Sequence, residues 1–299
     1  MMADVRSRNL PPTLRGYLEL LRPANVVTAA ADVLAGYAVA GLGNPAALPW
    51  LLVATTCLYG GGVVLNDYFD RAIDRIERPE RPIPSGRVPA ASAARLGAVL
   101  LIAGVAAASQ ATRAAAVIAA ATAGCVLLYD AWGKQRKLFG PVNMGLCRAL
   151  NLLLGVAAVP AVLSDAWPLA LVPLVYIGAV TALSRGEVHG GQRGIAVFAL
   201  ISLMIVLIAL LTMTVGPGDR SLAGLLLVLL LAWRVLPPFW RACRTVEPGA
   251  IRQAVKAGVL SLVLVDASIG ATYAGAVYGL VILATAVVAG GLARLFPVT

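Results

Sequence analysis

An all-α bundle of nine to ten membrane-spanning helices is the fold class this sequence predicts, and three observations carry the prediction. The mean hydropathy is +0.86, far above what a soluble domain sustains. Apolar residues make up 60% of the chain and come in runs of about twenty, the length that crosses the hydrocarbon core of a bilayer. Lysine and arginine gather in every second connection between those runs, as loops on the cytoplasmic side do. The runs are rich in Ala, Leu, Val and Gly, which suits close helix packing, and they lack the ten-residue alternation of an outer-membrane barrel.

The elements follow in chain order. Residues 1–23 are basic, with no apolar core before Ala24 and no cleavage site, and read as a cytoplasmic tail, not a signal peptide. Apolar segments then occupy residues 25–42, 48–65, 90–108, 114–128, 141–163, 168–183, 195–215, 222–236, 255–272 and 274–292. The eighth is short and is ended by Pro237 and Pro238, so nine spans stand as the alternative to ten. With the N-terminus inside, every Lys and Arg except Arg113 and Arg220 falls on the cytoplasmic side. The chain is thus expected to be an integral multi-pass protein, of the inner membrane if bacterial, with its polar loops in the cytoplasm.

The net charge of +10 is then explained by topology and by attraction to anionic lipid, and no nucleic acid is called for. The external connections GLGNPAA, SQATR, SDAW and GPGDRS are short and turn-forming. No linker or shift of composition divides the chain, so residues 1–299 read as one domain. Cys57, Cys125, Cys147 and Cys243 are scattered and suggest neither a disulfide framework nor a zinc site. Gly60, Gly61 and Gly62 mark either a helix-packing seam or a gap facing a substrate.

One polar stretch breaks the pattern. Residues 66–86 read NDYFDRAIDRIERPERPIPSG in a chain with only 13% charged residues. If the first part is helical, Asn66, Asp67, Asp70 and Asp74 share an arc of roughly 100°. Like charges on one face destabilise each other unless a cation sits among them, and hard oxygen donors of this kind suit Mg²⁺. The alternative is a solvated helix whose acids pair with Arg71, Arg75 and Arg78. The loop that follows is stiffened by Pro79, Pro82 and Pro84 and carries Arg81 and Arg87. Arginine forks there, with Arg71 on the helix itself, suit the oxygens of a diphosphate.

Further on, the string YDAWGKQRKLFGP follows the fourth apolar segment, and alone it reads as an ordinary basic cytoplasmic loop. Asn143, Arg148 and Asn151 lie in the next segment, where polar groups are costly and turn to the bundle interior, either lining a cavity or bonding between helices. Asp32 and Asp266 are two more intramembrane acids and site candidates on the same ground.

Asn66 to Asp74 matches the NDxxDxxxD motif of the UbiA superfamily of intramembrane prenyltransferases, and RPIPSG resembles the loop that follows it there. The resemblance implies a helical bundle around a central cavity that opens to lipid. It also implies transfer of an isoprenyl group from an isoprenyl diphosphate, held through Mg²⁺, to an aromatic or other cyclic acceptor. Asn66, Asp70 and Asp74 take the metal-ligand positions, with Asp67 the extra acid. Tyr129 and Lys134 match the Tyr-to-Lys motif, one residue longer than its commonest spacing, with Lys134 on the diphosphate and Arg136 or Lys137 as substitutes. Arg22 and Asn25 match positions near acceptor or diphosphate.

The family's second acidic motif carries two aspartates four residues apart. Here TALSRGEVHGGQRG stands in its place, offering Glu187 for the first acid, His189 in the middle and Gly191 for the second aspartate. Glu187 is expected to coordinate metal and His189 to assist the diphosphate or act as a base toward the acceptor. Because one carboxylate is missing, a non-catalytic binder or carrier of a prenyl or aromatic precursor stands as the second reading. The SRGEVHGG string is also similar to UbiA-like proteins of the Ebo gene-cluster type.

Overall fold

The computed structural model describes residues 11–215 and 222–294. Arg6, Arg8 and Arg220 lie outside the described residues. Every regular element described is helical. Nine helices among the described residues are long and apolar enough to cross a membrane. A tenth, α2 (Pro23–Val39), has 17 residues and matches the first predicted segment. The chain is an integral, multi-pass membrane protein.

Within the segment read as a tail, helix α1 spans Pro12–Leu21. Its sequence PTLRGYLELL is amphipathic, and Leu20 is buried against Val64, Ile83 and Val88. Burying one leucine is worth about 1.5–3 kcal/mol, enough to hold a short helix that alone would be marginal. Arg22 precedes a proline, which disfavours the helical conformation, so α1 stops there and α2 begins at Pro23. Arg22 takes a left-handed conformation, φ 46° and ψ 62°, at the joint.

Helix α3 (Ala47–Glu77) runs 31 residues without a break, well past what the membrane core requires. It pairs with α4 (Ala90–Ala111), and α5 (Arg113–Ala131) and α6 (Phe139–Val156) follow. Short turns from Pro160 lead into α7 (Leu171–Ser184), and then come α8 (Arg193–Val215), α9 (Leu222–Thr245), α10 (Pro248–Ala274) and α11 (Ala276–Ala293). The predicted stop at Pro237 is not observed: α9 continues through both prolines for a total of 24 residues. Each proline removes only one backbone donor, and in a membrane helix neighbouring helices, side chains and water take up the freed carbonyls.

Two apolar cores share α2 and α6. One joins α3, α4 and α5 through Val33, Tyr37 and Leu154; the other joins α7 to α11 through Ala31, Ala35 and Leu152. Along α10 every residue from Ser261 to Ala271 is buried, which makes it the central helix of the second half. The outward faces of α8, α9 and α11 expose Ile205, Ile208, Leu226, Trp233 and Val277, apolar surface that lipid covers.

At the crossing of α2 and α6 the two backbones touch. A Cβ on Gly36 would meet the carbonyl of Leu152, and one on Gly155 would meet the carbonyl of Val33. Only glycine permits that approach. It sets Asp32 on α2 directly against Arg148 and Asn151 on α6. The triplet of glycines on α3 divides its roles: Gly61 packs on Gly97 of α4, while Gly62 lines the cavity described next.

Candidate functional site

The extra length of α3 carries the acidic face out of the bilayer core as a continuous helix. Asp67 and Asp74, two turns apart, are buried; Asp70 between them is part-exposed; Arg75, Ile76 and Arg78 point outward. The acids therefore face the bundle, and none of their ion pairs is with Arg71, Arg75 or Arg78.

Their partners come from distant segments. Arg22 at the α1–α2 joint places a guanidinium nitrogen 2.5 Å from Asp67 Oδ1. Arg81 reaches Asp74 Oδ2 at 2.7 Å and Asp67 Oδ1 at 3.4 Å. Its loop is pinned by the Val88 N–H donating to the Pro82 carbonyl, by Arg87 on Glu19 at 2.6 Å, and by Ile83 and Val88 in the α1 core. Gly86 adopts φ +76°, the left-handed turn that only glycine makes without strain. Lys134 Nζ lies 2.6 Å from Asp70 Oδ1. It sits on a single 3₁₀ turn after α5, and Arg185 fastens that turn by donating to the carbonyls of Lys134 and Arg136 at 2.9 and 2.6 Å.

Beside this face opens a cavity of about 290 Å³. Its lining includes the predicted residues Arg22, Asn25, Asn66, Tyr129, Arg148 and Asn151, together with Thr55, Tyr59, Thr122 and Asp130. At its inner wall Asn151 donates to Asp32 Oδ2 at 2.8 Å and accepts from Thr55 at 2.7 Å. Arg148 donates to the same Asp32 oxygen at 2.8 Å and lies 5.3 Å from the centre of the Tyr59 ring, a cation–π contact. Behind them Asp266 of α10 is fully buried against Asp32.

Three predicted site residues are not gathered into this arrangement. Arg71 donates to the Tyr68 carbonyl at 2.8 Å and stacks on the Tyr68 ring, a local contact that holds it on its own helix. Glu187 and His189 do not line the cavity, and His189 is exposed. Their loop is tied to the α9–α10 turn: Gly191 N–H donates to the Val246 carbonyl at 3.1 Å, and Gly186 packs on Ile251. A Cβ on Gly191 would meet Ile251 Cδ1 at 2.8 Å, so a side chain there points at α10. Partial burial pushes the Glu187 carboxyl above its ordinary range, and the Arg252 charge opposes that rise.

The structure adds residues the sequence did not single out. Asp130 is 4% exposed and accepts from Asn66 Nδ2 at 2.9 Å. Arg185, Glu19 and Arg87 hold the two cationic loops in place. The YD pair was the one available signal for Asp130, and it reads as a loop start.

The donor chemistry of the acidic face fits a hard divalent cation: carboxylate and amide oxygens on one helix face, with a further buried carboxylate oxygen, Asp130 Oδ2, that has no donor. Among the described residues no three of these side chains already converge as a metal cage, because each acid of α3 is drawn to a guanidinium or ammonium group.

Comparison with known proteins bears on the family and the fold. Digeranylgeranylglyceryl phosphate synthase of Methanopyrus kandleri is 37% identical over 155 residues, 50% of this chain and 56% of that protein. The chain thus spans little more than half the length of that curated relative. A solved digeranylgeranylglyceryl phosphate synthase superposes with a TM-score of 0.69 at 22% identity, covering 87% of this chain and 98% of the other. A UbiA homolog from Archaeoglobus fulgidus bound to DMAPP and Mg²⁺ superposes with a TM-score of 0.56 at 13% identity, covering 90% and 99%. These two share the fold. The sequence profile of the UbiA prenyltransferase family matches residues 27–255, most of the chain, including the acidic face of α3, Lys134 and Arg148, and the chain belongs to that family.

Proposed function

We propose that this protein is a Mg²⁺-dependent prenyltransferase that moves an isoprenyl group from an allylic diphosphate to an acceptor at the cytoplasmic face of the membrane. The observation that carries the reading is the ion-paired acidic face, Asp67, Asp70 and Asp74 with Arg22, Arg81 and Lys134, opening beside a polar-lined cavity in an apolar bundle. Asn66, Asp67, Asp70 and Asp74 would hold the metal, which would supply charge neutralisation for the diphosphate.

The residues of the chain do the rest. Arg22, Arg81 and Lys134 already stand within 3.5 Å of the acids, so they meet the diphosphate oxygens without a large rearrangement. As the allylic C–O bond breaks, its electron pair leaves with the diphosphate, and these fixed cations stabilise the departing charge. The acceptor forms the new bond to the prenyl carbon and gives up its proton to the departing diphosphate. Tyr59 and Tyr129 border the cavity where positive charge develops, and the surrounding apolar helices exclude water. We give Glu187 and His189 no part in donor binding, a reading supported by the hydrogen bond that ties their loop to the α9–α10 turn.

The acceptor we infer is an aromatic or other cyclic compound seated between the tyrosines and Asn25 and Asn151. A second reading has a specific observation behind it. Two guanidinium groups, Arg22 and Arg148, line the cavity, and the named relative makes digeranylgeranylglyceryl phosphate, which favours a phosphate-bearing lipid acceptor. The likeness of SRGEVHGG to the Ebo-type proteins gains nothing from that relative.

The test is release of inorganic diphosphate and formation of prenylated product by the purified full-length protein in lipid nanodiscs, with Mg²⁺, geranyl to geranylgeranyl diphosphate, and both acceptor classes. Product with a cyclic acceptor alone supports the first reading; product with a glyceryl phosphate lipid alone supports the second. Saturable donor binding with no release under any pairing overturns the enzyme in favour of a carrier.

A further inference from the structure

Asp130 occupies a position that the acidic face leaves electrically incomplete. Four carboxyl groups cluster there, Asp67, Asp70 and Asp74 of α3 and Asp130 at the end of α5, against three cations, Arg22, Arg81 and Lys134. The first three acids each have an ion pair. Asp130 has none. Its Oδ1 accepts the Asn66 amide at 2.9 Å, while its Oδ2 is buried and has no donor. A buried carboxylate oxygen left without a donor is expensive, and the residue is only 4% exposed. Yet the side chain lines the same cavity as Asn66 and Tyr129.

The connectivity shows what that oxygen is placed for. Asn66 bonds Asp130, and Lys134, one turn beyond Asp130, bonds Asp70, so α5 and the 3₁₀ turn after it are clamped twice to the motif helix. The Asn66 amide, with its nitrogen engaged by Asp130, keeps its carbonyl oxygen for a cation. Asp130 Oδ2 and that carbonyl are hard donors held on facing helices, the pairing that a small divalent ion takes. The loop from which a second carboxylate is expected turns Gly191 toward Ile251.

We infer that Asp130 is a carboxylate ligand of the divalent metal, supplied by α5 in place of the acid missing from the loop at 187–191. This deepens the proposed function and rests on its metal reading. Mn²⁺ serves as the spectroscopic probe, added alone and then with inorganic pyrophosphate, to the full-length protein in nanodiscs, with bound Mn²⁺ read by electron paramagnetic resonance. Asp130→Asn keeps an acceptor for Asn66 and the side-chain volume, and a thermal melt confirms that it folds. The expected result is a loss of Mn²⁺ affinity of at least about tenfold, the least that removing a ligand costs when outer-sphere partners alone are worth that much. Asp70→Asn runs beside it. If Asp70→Asn loses Mn²⁺ and Asp130→Asn binds as the parent does, the assignment of Asp130 is overturned while the metal reading stands. If both bind as the parent does, the metal reading falls and takes this inference with it. If Asp130→Asn fails to fold, Asp130→Glu decides: retained binding with changed Mn²⁺ hyperfine splitting or zero-field broadening supports ligation, and an unchanged spectrum overturns it.

Discussion

The bundle buries acids in two places, and they are built on opposite principles. At the C-terminal end of α3, Asp67, Asp70 and Asp74 draw cations from three separate segments, with Arg81 reaching two of the acids. Deep in the bundle, Asp32 receives Arg148 and Asn151 on one oxygen, Asn151 is fixed in turn by Thr55, and the whole group has no exposed acid. There, Asp266 faces Asp32 with neither of its own oxygens given a donor, and Asp32 Oδ1 also lacks one. The outer cluster can exchange its partners; the inner cluster cannot without unpairing a buried charge.

Breaking the inner cluster is expected to have the largest effect. Asp32→Leu leaves Arg148 charged and unpaired in the core, a loss of about 3–5 kcal/mol in stability, read as a lower unfolding midpoint in detergent. Next comes the outer cluster: Asp70→Asn is expected to weaken Mg²⁺-dependent donor binding at least about a hundredfold, close to 2.8 kcal/mol, with little change in melting. That split, stability without binding in one case and binding without stability in the other, is the sharpest check on the contrast. Equal melting of Asp32→Leu and the parent would erase it.

A smaller effect is expected at Asp266. Asn there keeps the side-chain volume and supplies an N–H toward Asp32, so Asp266→Asn costs no more than about 1 kcal/mol, while Asp266→Ala leaves a cavity and costs more, both read from the same unfolding midpoint. The smallest effect is at Glu187, which belongs to neither cluster. Its carboxyl titrates above the ordinary glutamate range because of burial, so its contribution to stability is complete below that range and is lost as pH rises through the raised value. Glu187→Gln is expected to flatten that small loss in pH-dependent melts and to leave donor binding in place.

Much of the inner geometry was hidden in the sequence for a plain reason. Ten apolar segments announce themselves by length and composition, and all ten are helices. The helical face of Asn66, Asp67, Asp70 and Asp74 follows from spacing alone, and the structure forms it on α3. What spacing does not carry is which distant group answers each charge. Arg22 meets Asp67 because a proline breaks the chain at residue 22, and Asp32 meets Asp266 because two helices far apart in sequence pack side by side. Arg71 misled for the opposite reason: nearness in sequence put it beside the acids, and its rotamer turned it to Tyr68. Pro237 and Pro238 misled as well, since a proline removes one backbone donor and does not by itself end a membrane helix.

The backbone contact between Gly36 and Gly155 has a consequence in entropy. Wherever side chains interlock, folding freezes their rotamers, and a long one such as arginine surrenders about 2 kcal/mol of that freedom. Two glycines have no rotamers to surrender. The crossing that registers α2 on α6 is therefore made of groups already rigid, and the ordering cost of the inner cluster falls almost wholly on Arg148, whose guanidinium is stacked and bonded in return.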